Sequence, residues 1–394
     1  MTKKLSVLIL SSWYPARTNP TLGNFNEKFA EAAALFNKVT ALHIAADENM
    51  SIATEYVQTE NNGVDTRIVY FRKKHKEFWT DKVAKSYRFL KYYFTVYKQY
   101  KKQNGKPDIV HLNILYPVGI IALLFKKIYG LPYVISENWT GYLPSNYIRQ
   151  NFLVRITSRI IAKNAYALLP VSLDLKKAML SHGFNNTYYI VPNVTDTKHF
   201  NLSESAKVDE KKIMLHVSSL KDEHKNITGI LNVVKQLSIF RQDFELHIVG
   251  DGDAAPHKKY AEELNLLNKF VFFYEAMTPL QIAQIMKQSD FFVLFSNYEN
   301  LPCVIVEALA SGLPVVSSTA GGIPEHITED KGILVEPKDE KAFFNACVKM
   351  LDNYSAYNKI NLHRYAVDKF SYISVGQQLT DIYNVILKKK QIDT

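Results

Sequence analysis

Glu299 and Glu307 stand eight positions apart in the stretch FSNYENLPCVIVEALASGLPVVSSTAGGIPE, residues 295–325. Pro302 suits the first turn of a helix, where its missing donor would be unpaired anyway, and Asn300 is a plausible cap. Gly312 fits the position just past a helix end and Pro314 forbids continuation, so the spacing predicts a short helix over residues 302–311. The apolar runs at 290–295 and 313–317 read as strands of a parallel sheet covered on both faces. Such sheets bind ligands at the carboxyl ends of their strands, and the first turn of the following helix offers free amides to an anion. Glu299 falls in the loop and Glu307 in the second helical turn, so both can reach one ligand. A carboxylate accepts hydrogen bonds from the paired hydroxyls of a sugar or a ribose, and a phosphate at the helix start completes a nucleotide sugar. Spacing alone also allows a solvated loop residue and an exposed helical glutamate.

The elements around this stretch alternate. Strands are expected at 4–10, 39–44, 66–71, 108–111, 132–136 and 166–170, with helices at 24–36, 72–106, 117–129, 147–163 and 173–182. A polar run with Pro192 and Asn193 interrupts the pattern at 191–209 and reads as a linker. Strands resume at 212–217, 244–249, 270–273, 290–295, 314–317 and 333–335, with helices between, and from about 339 the chain reads as helical to its end. Repeated β/α units imply an α/β fold of two doubly wound, Rossmann-like domains facing a cleft. The expected division is 1–190, a linker at 191–209, a second domain at 210–371, and a last helix at 372–394 that packs back on the first domain.

Composition narrows the function classes. The chain has 394 residues, 47% hydrophobic, which suits two folded domains. There is no apolar run long enough to span a bilayer, and the start turns polar too soon for a signal peptide, so a cytoplasmic protein is expected. The two cysteines, Cys303 and Cys347, lack the spacing of a disulfide framework or a zinc site. A formal charge of +10 is concentrated in residues 72–106, where twelve Lys or Arg face only Glu77 and Asp81 and alternate with many aromatics. That mixture reads either as a solvated helix covering the sheet or as a basic amphipathic helix lying on anionic lipid. No nucleic-acid motif accompanies it, so nucleic acid is not an expected partner.

The whole pattern resembles the GT-B glycosyltransferases, and most closely the retaining glycosyltransferase family 4. The resemblance rests on Glu299-x7-Glu307 followed by Gly321-Gly322-Ile323-Pro324-Glu325, and on Lys225, Gly250-Asp251-Gly252, Val191-Pro192-Asn193 with Phe200, and the Gly23 loop in the same order. It implies that Glu307 holds the ribose hydroxyls, that Glu299 sits at the donor sugar near the anomeric centre, and that Lys225 neutralises the diphosphate. Asn300, Leu301 and Pro302 line the diphosphate end, and Gly250 follows the strand beside it. The arginine that the family places about six residues before the lysine is Ser219 here, with Lys221 as a substitute. Gly23 offers backbone near the phosphates or the acceptor. Asn138 falls where many relatives place a histidine beside the reacting sugar, with either Glu137 or Asn138 facing the cleft. Trp13, Trp139 and His111 are acceptor-side candidates, the tryptophans stacking a sugar or packing the core, and the histidine contacting substrate or serving structure.

In that family no metal and no enzymatic nucleophile is needed, because the departing phosphate itself takes the acceptor's proton on the retained face. Asp251-Gly252-Asp253 forms a DxD, but after a strand it reads as a glycine turn. No cofactor is therefore expected. The implied activity is transfer of a hexose from a UDP or GDP sugar to a lipid-linked or polysaccharide acceptor, by an enzyme peripherally attached to the inner face of the membrane. The rivals are a nucleotide-sugar epimerase of the same architecture and a noncatalytic binding module.

Overall fold

The computed structural model describes residues 4–72, 79–144, 150–203 and 211–392, and side chains within these ranges except at 79–87 and 392. The first sheet contains β1 (Ser6–Ser11), β2 (Lys38–Asp47), β3 (Thr54–Asn61), β4 (Val64–Arg72), β5 (Ile109–Asn113), β6 (Tyr133–Glu137) and β7 (Ala167–Pro170). Its order is β3-β4-β2-β1-β5-β6-β7, parallel throughout apart from β3. The second contains β8 (Lys212–Ser218), β9 (Phe244–Gly250), β10 (Val271–Tyr274), β11 (Phe291–Leu294), β12 (Val315–Ser318) and β13 (Gly332–Val335), all parallel in the order β10-β9-β8-β11-β12-β13. Both are doubly wound sheets, as the alternation of apolar runs and helices requires. The sequence pattern misses β3. This edge strand pairs antiparallel with β4 and is mostly exposed, so its TEYVQTEN carries no buried face to reveal it.

Helices cover both faces of the first sheet. On one lie α1 (Asn24–Ala34) and, from the far end of the chain, α13 (Tyr372–Ile392). The other carries α2 (Trp79–Asn104), α3 (Gly119–Tyr129) and α4 (Phe152–Asn164), with Phe94 of α2 edge-on to Phe125 of α3 at 5.3 Å. Then come α5 (Leu173–Ser181), α6 (Asp222–Lys225), α7 (Ile227–Phe240), α8 (Ala255–Glu263), α9 (Pro279–Gln288), α10 (Cys303–Ala310), α11 (Glu340–Asn353) and α12 (Lys359–Phe370). Residues 147–149, expected to begin α4, lie outside the described residues, and the helix starts at Phe152 with Asn151 as its cap.

In α2 several of the aromatics expected at a lipid interface turn inward instead, and the side chains of Phe78, Trp79 and Tyr87 lie outside the described residues. Tyr93, Tyr97 and Tyr100 are buried in the core, and Phe94 packs against it. The described exposed residues of that helix include Lys91, Lys98, Lys101 and Lys102. Residues 73–78 of the expected basic stretch lie outside the described residues. Among the described residues no helix is long and apolar enough to cross a membrane.

The halves are joined in several places. Leu215, Val217, Phe292 and Leu294 point from the second sheet into a core shared with the first domain, while Met214, Phe291, Val293 and Phe295 point to a separate core on the opposite face. Thr195 N donates to Phe370 O at 2.8 Å, and α13 then runs along α1. That approach is close: a Cβ on Gly376 would lie 2.1 Å from Ala32 O. Tyr372 Oη donates to Glu31, Asn37 Nδ2 to Thr380 Oγ1, and Gln378 Nε2 to Ile190 O.

Candidate functional site

The loop of residues 296–302 leaves β11 and is held from two sides. Asn297 N donates to His224 O and Asn297 Nδ2 to Glu223 O, both at 2.8 Å, which ties the loop to α6. On the other side Gly321 adopts φ +60°, and a Cβ there would lie 1.9 Å from Glu299 O; Gly322 N donates to Asn300 O at 2.7 Å. The diglycine therefore permits a backbone-to-backbone contact that any side chain would break. Glu325 of the same motif reaches the first domain, its carboxylate accepting from Leu173 N at 2.8 Å and Asp174 N at 3.0 Å at the start of α5. Those are orphan helix amides that favour a negative charge.

This bracing presents both glutamates at the cleft, each 7% exposed. Glu299 accepts from Ser296 Oγ at 2.8 Å and forms an ion pair with Lys225 Nζ, which arrives at the end of α6. Glu307, in the second turn of α10, pairs with Lys28 Nζ of α1 at 3.2 Å. Burial pulls the Lys28 pKa down, yet the charge of Glu307 and its hydrogen bond to the ammonium prevail and hold it above its ordinary value. Burial likewise pushes the Cys303 thiol up to about 11. Lys28 escaped the sequence reading because its partner is 279 positions away.

Several expected details change. Asn300 is not the helix cap: Pro302 precedes Cys303 in extended conformation, without a side-chain cap. Asn300 Nδ2 instead donates across the cleft to Asn138 O at 2.5 Å, and Asn193 Nδ2 donates to Leu301 O at 2.7 Å. The amides of Asn300, Leu301 and Val304 meet no acceptor among the described residues, which leaves donors free at the start of α10. Of the pair at the end of β6, Glu137 is fully buried and Asn138 half-buried. Glu137 accepts from the amides of Leu115, Asn138 and Trp139, and burial, opposed by these bonds, raises its pKa to about 7. Asn138 Oδ1 is buried without a partner among the described residues, as is the whole amide of Asn113 at the end of β5.

The remaining candidates divide. Gly23, at φ +74°, caps α1 so close to Trp13 that a Cβ would lie 2.3 Å from its carbonyl oxygen. Trp13 is edge-on to Phe25 at 6.4 Å and half-buried, while Trp139 packs edge-on to Tyr142 at 4.7 Å and against Gly141. Gly250 is buried against Leu220, and a Cβ on Gly252 would lie 2.0 Å from Ser219 O, so the glycine turn supports the β8 loop. Asp253 of that turn caps Ala255 N at 2.9 Å. Lys221 is exposed just before α6, and its carbonyl accepts from Lys225 N.

His111 is corrected from an acceptor-side residue to a structural one. It is fully buried, with Nδ1 2.5 Å from Tyr383 Oη of α13 and Nε2 2.7 Å from Ser136 Oγ, and burial drops its pKa to about 3. His216 matches it in the second sheet, bonded to Val293 O and Ser218 Oγ with a pKa near 3 for the same reason. His326 bonds to Tyr365 Oη at 2.9 Å.

Two doubly wound domains facing a cleft, with paired carboxylates, a lysine and free helix amides at their junction, have the arrangement of the GT-B fold. Residues 197–365 match the family description "Glycosyl transferases group 1" and residues 54–199 match "Glycosyltransferase Family 4". The chain belongs to glycosyltransferase family 4. It is 29% identical over 247 residues to the putative glycosyltransferase EpsF of Bacillus subtilis (strain 168), a match spanning 59% of this chain and 62% of that protein's length. Among solved structures, sucrose-phosphate synthase from Thermosynechococcus elongatus superposes with a TM-score of 0.75 at 18% identity, covering 98% of this chain and all of that one. Anabaena HepE in complex with UDP gives 0.74 at 17%, covering 97% and 100%. Both likenesses concern the fold.

Proposed function

We propose that this glycosyltransferase is a retaining, metal-independent hexosyltransferase that uses a nucleoside-diphosphate sugar and acts on a lipid-linked or polysaccharide acceptor at the cytoplasmic face of a membrane. The observation that carries the donor assignment is the arrangement at α10: Glu299 and Glu307 at the cleft, Lys225 beside Glu299, and amides at the helix start that are unpaired among the described residues. In this reading Glu307 accepts the ribose hydroxyls and Glu299 steadies the donor sugar. As the anomeric bond opens, charge grows on the diphosphate, and Lys225 and the helix amides meet it. The leaving phosphate takes the acceptor's proton on the same face. Asn138, whose Oδ1 has no partner among the described residues, and the half-buried Trp13 and Trp139 face the acceptor side. The UDP in the HepE structure favours a uridine donor.

The membrane contact falls on the outer surface of α2, α3 and α4. Phe152, Leu153, Ile156 and Ile160 of α4 are 72%, 69%, 37% and 46% exposed, and Arg155, Arg159 and Lys163 alternate with them. A face that is both apolar and cationic suits an anionic bilayer, with the exposed lysines of α2 adding charge. The helix begins at the cleft end of β6, which places its apolar first turn beside the acceptor side.

The deciding experiment measures release of UDP or GDP from a panel of nucleotide sugars, with and without a lipid extract. Release with one sugar that rises with lipid supports the reading. Acceptor-independent interconversion of the sugar points to an epimerase, and no turnover of any donor removes the assignment. Liposome binding should fall severalfold in Phe152→Ser/Leu153→Ser and weaken with salt; unchanged binding would put the contact elsewhere.

A further inference from the structure

We propose that Lys28 is a donor-site residue supplied by the first domain: its ammonium holds Glu307 in the place of the ribose hydroxyls until a nucleotide arrives, and so sets the affinity of the site for ribose. This rests on Glu307 being the ribose acceptor, as argued above.

The choice of partner is informative. Lys28 has Glu27 and Glu31 on its own helix, but Glu31 is engaged by Asn62 Nδ2 and Tyr372 Oη, and the ammonium crosses to the other domain. The side chains of Lys28 and Glu307 are 17% and 9% exposed, so each charge needs a partner while the site is empty. The carboxylate of Glu307 makes no other hydrogen bond among the described residues. An ammonium and a pair of vicinal hydroxyls offer the same carboxylate the same kind of donor, so they compete for it. A ligand that must displace a competitor binds more weakly by the fraction of molecules in which the site is free. If about one molecule in ten has Glu307 free, removing the competitor strengthens ribose binding about tenfold. A nucleotide without ribose hydroxyls makes no demand on Glu307 and is indifferent to the pair.

The test titrates full-length wild type, Lys28→Met and Glu307→Gln with UDP and GDP, each beside its 2′,3′-dideoxy counterpart, by calorimetry. Wild type should prefer the ribose form. Lys28→Met should bind that form about tenfold more tightly with the dideoxy form unchanged, and Glu307→Gln should abolish the preference. If wild type binds both forms equally, binds neither, or keeps its preference in Glu307→Gln, the reading of Glu307 itself falls. If the preference depends on Glu307 but Lys28→Met leaves it unaltered or weakens it, the role of Lys28 alone is overturned. Acylation of lysines in the unmodified protein gives an answer that needs no variant to fold. Reactivity of Lys28 should rise when nucleotide is added, and a fall would mean that the ammonium touches the nucleotide instead.

Discussion

The two walls of the cleft enclose carboxylates in opposite ways. In the second domain Glu299 and Glu307 are met by the ammonium groups of Lys225 and Lys28. In the first, Glu137 is met by three backbone amides and its pKa climbs to about 7. An ammonium on a flexible stem can move aside for a hydroxyl or a phosphate, whereas backbone amides cannot leave without unmaking the loop they belong to. Exchangeable partners mark the wall proposed to take the donor, and fixed partners mark the wall that holds the shape of the Asn138 loop.

Substitutions can break this contrast, beginning with the largest effect. Glu299→Ala should reduce turnover by about a thousandfold, the cost of removing one well-placed group from a transition state, with the fold retained but the melting temperature lowered because Lys225 loses its partner. Full activity would mean that Glu299 is only a loop residue. Glu307→Gln should chiefly raise the donor KM, by about ten- to a hundredfold for weakened bonds to a charged group, while kcat is largely kept. A loss confined to kcat would move Glu307 to the reacting centre.

Gly321→Ala sharpens the comparison from behind the site. Its Cβ would collide with Glu299 O, and the φ of +60° disfavours alanine in addition. Calorimetry should show a loss of about 2 kcal/mol or more together with reduced kcat; a wild-type thermogram would remove the brace from the account. The smallest effect belongs to Glu137→Gln. The ordinary value of this group is 4.5 and its folded value about 7, so between those pH values the folded protein holds a proton that the unfolded chain has released. Through this group stability is gained on acidification from 7 to 4.5 and lost as pH rises through 7. The glutamine variant should change the slope of stability against pH in that window by about 1.4 kcal/mol per unit, one proton's worth. An identical slope would mean that Glu137 is ionised throughout.

The geometry of the second-domain wall was largely legible in the sequence because its pieces are local. Glu299, α10 and Gly321-Gly322 lie within one short stretch, and the glycine pair has a steric reason to be where it is. The first-domain wall was less so. In the sequence His111 reads as the end of a strand, where a substrate ligand would sit, but β5 runs on to Asn113, and Tyr383 arrives from 272 positions away to engage the ring. The tyrosines of α2 suit a lipid interface or a protein core equally well, since both want an apolar ring with a polar tip. Lys28 lacked any local signal, and the polar β3 lacked a buried face.

The return of α13 bears on how the chain is made. Tyr383 fills the first domain's interior and bonds to His111, and Gly376 lies against α1. Vectorial synthesis usually lets an amino-terminal domain finish folding while the rest is still being translated. Here one face of the first domain is covered by a helix that follows the second domain in the chain, so the first domain cannot close its core before the second has been made.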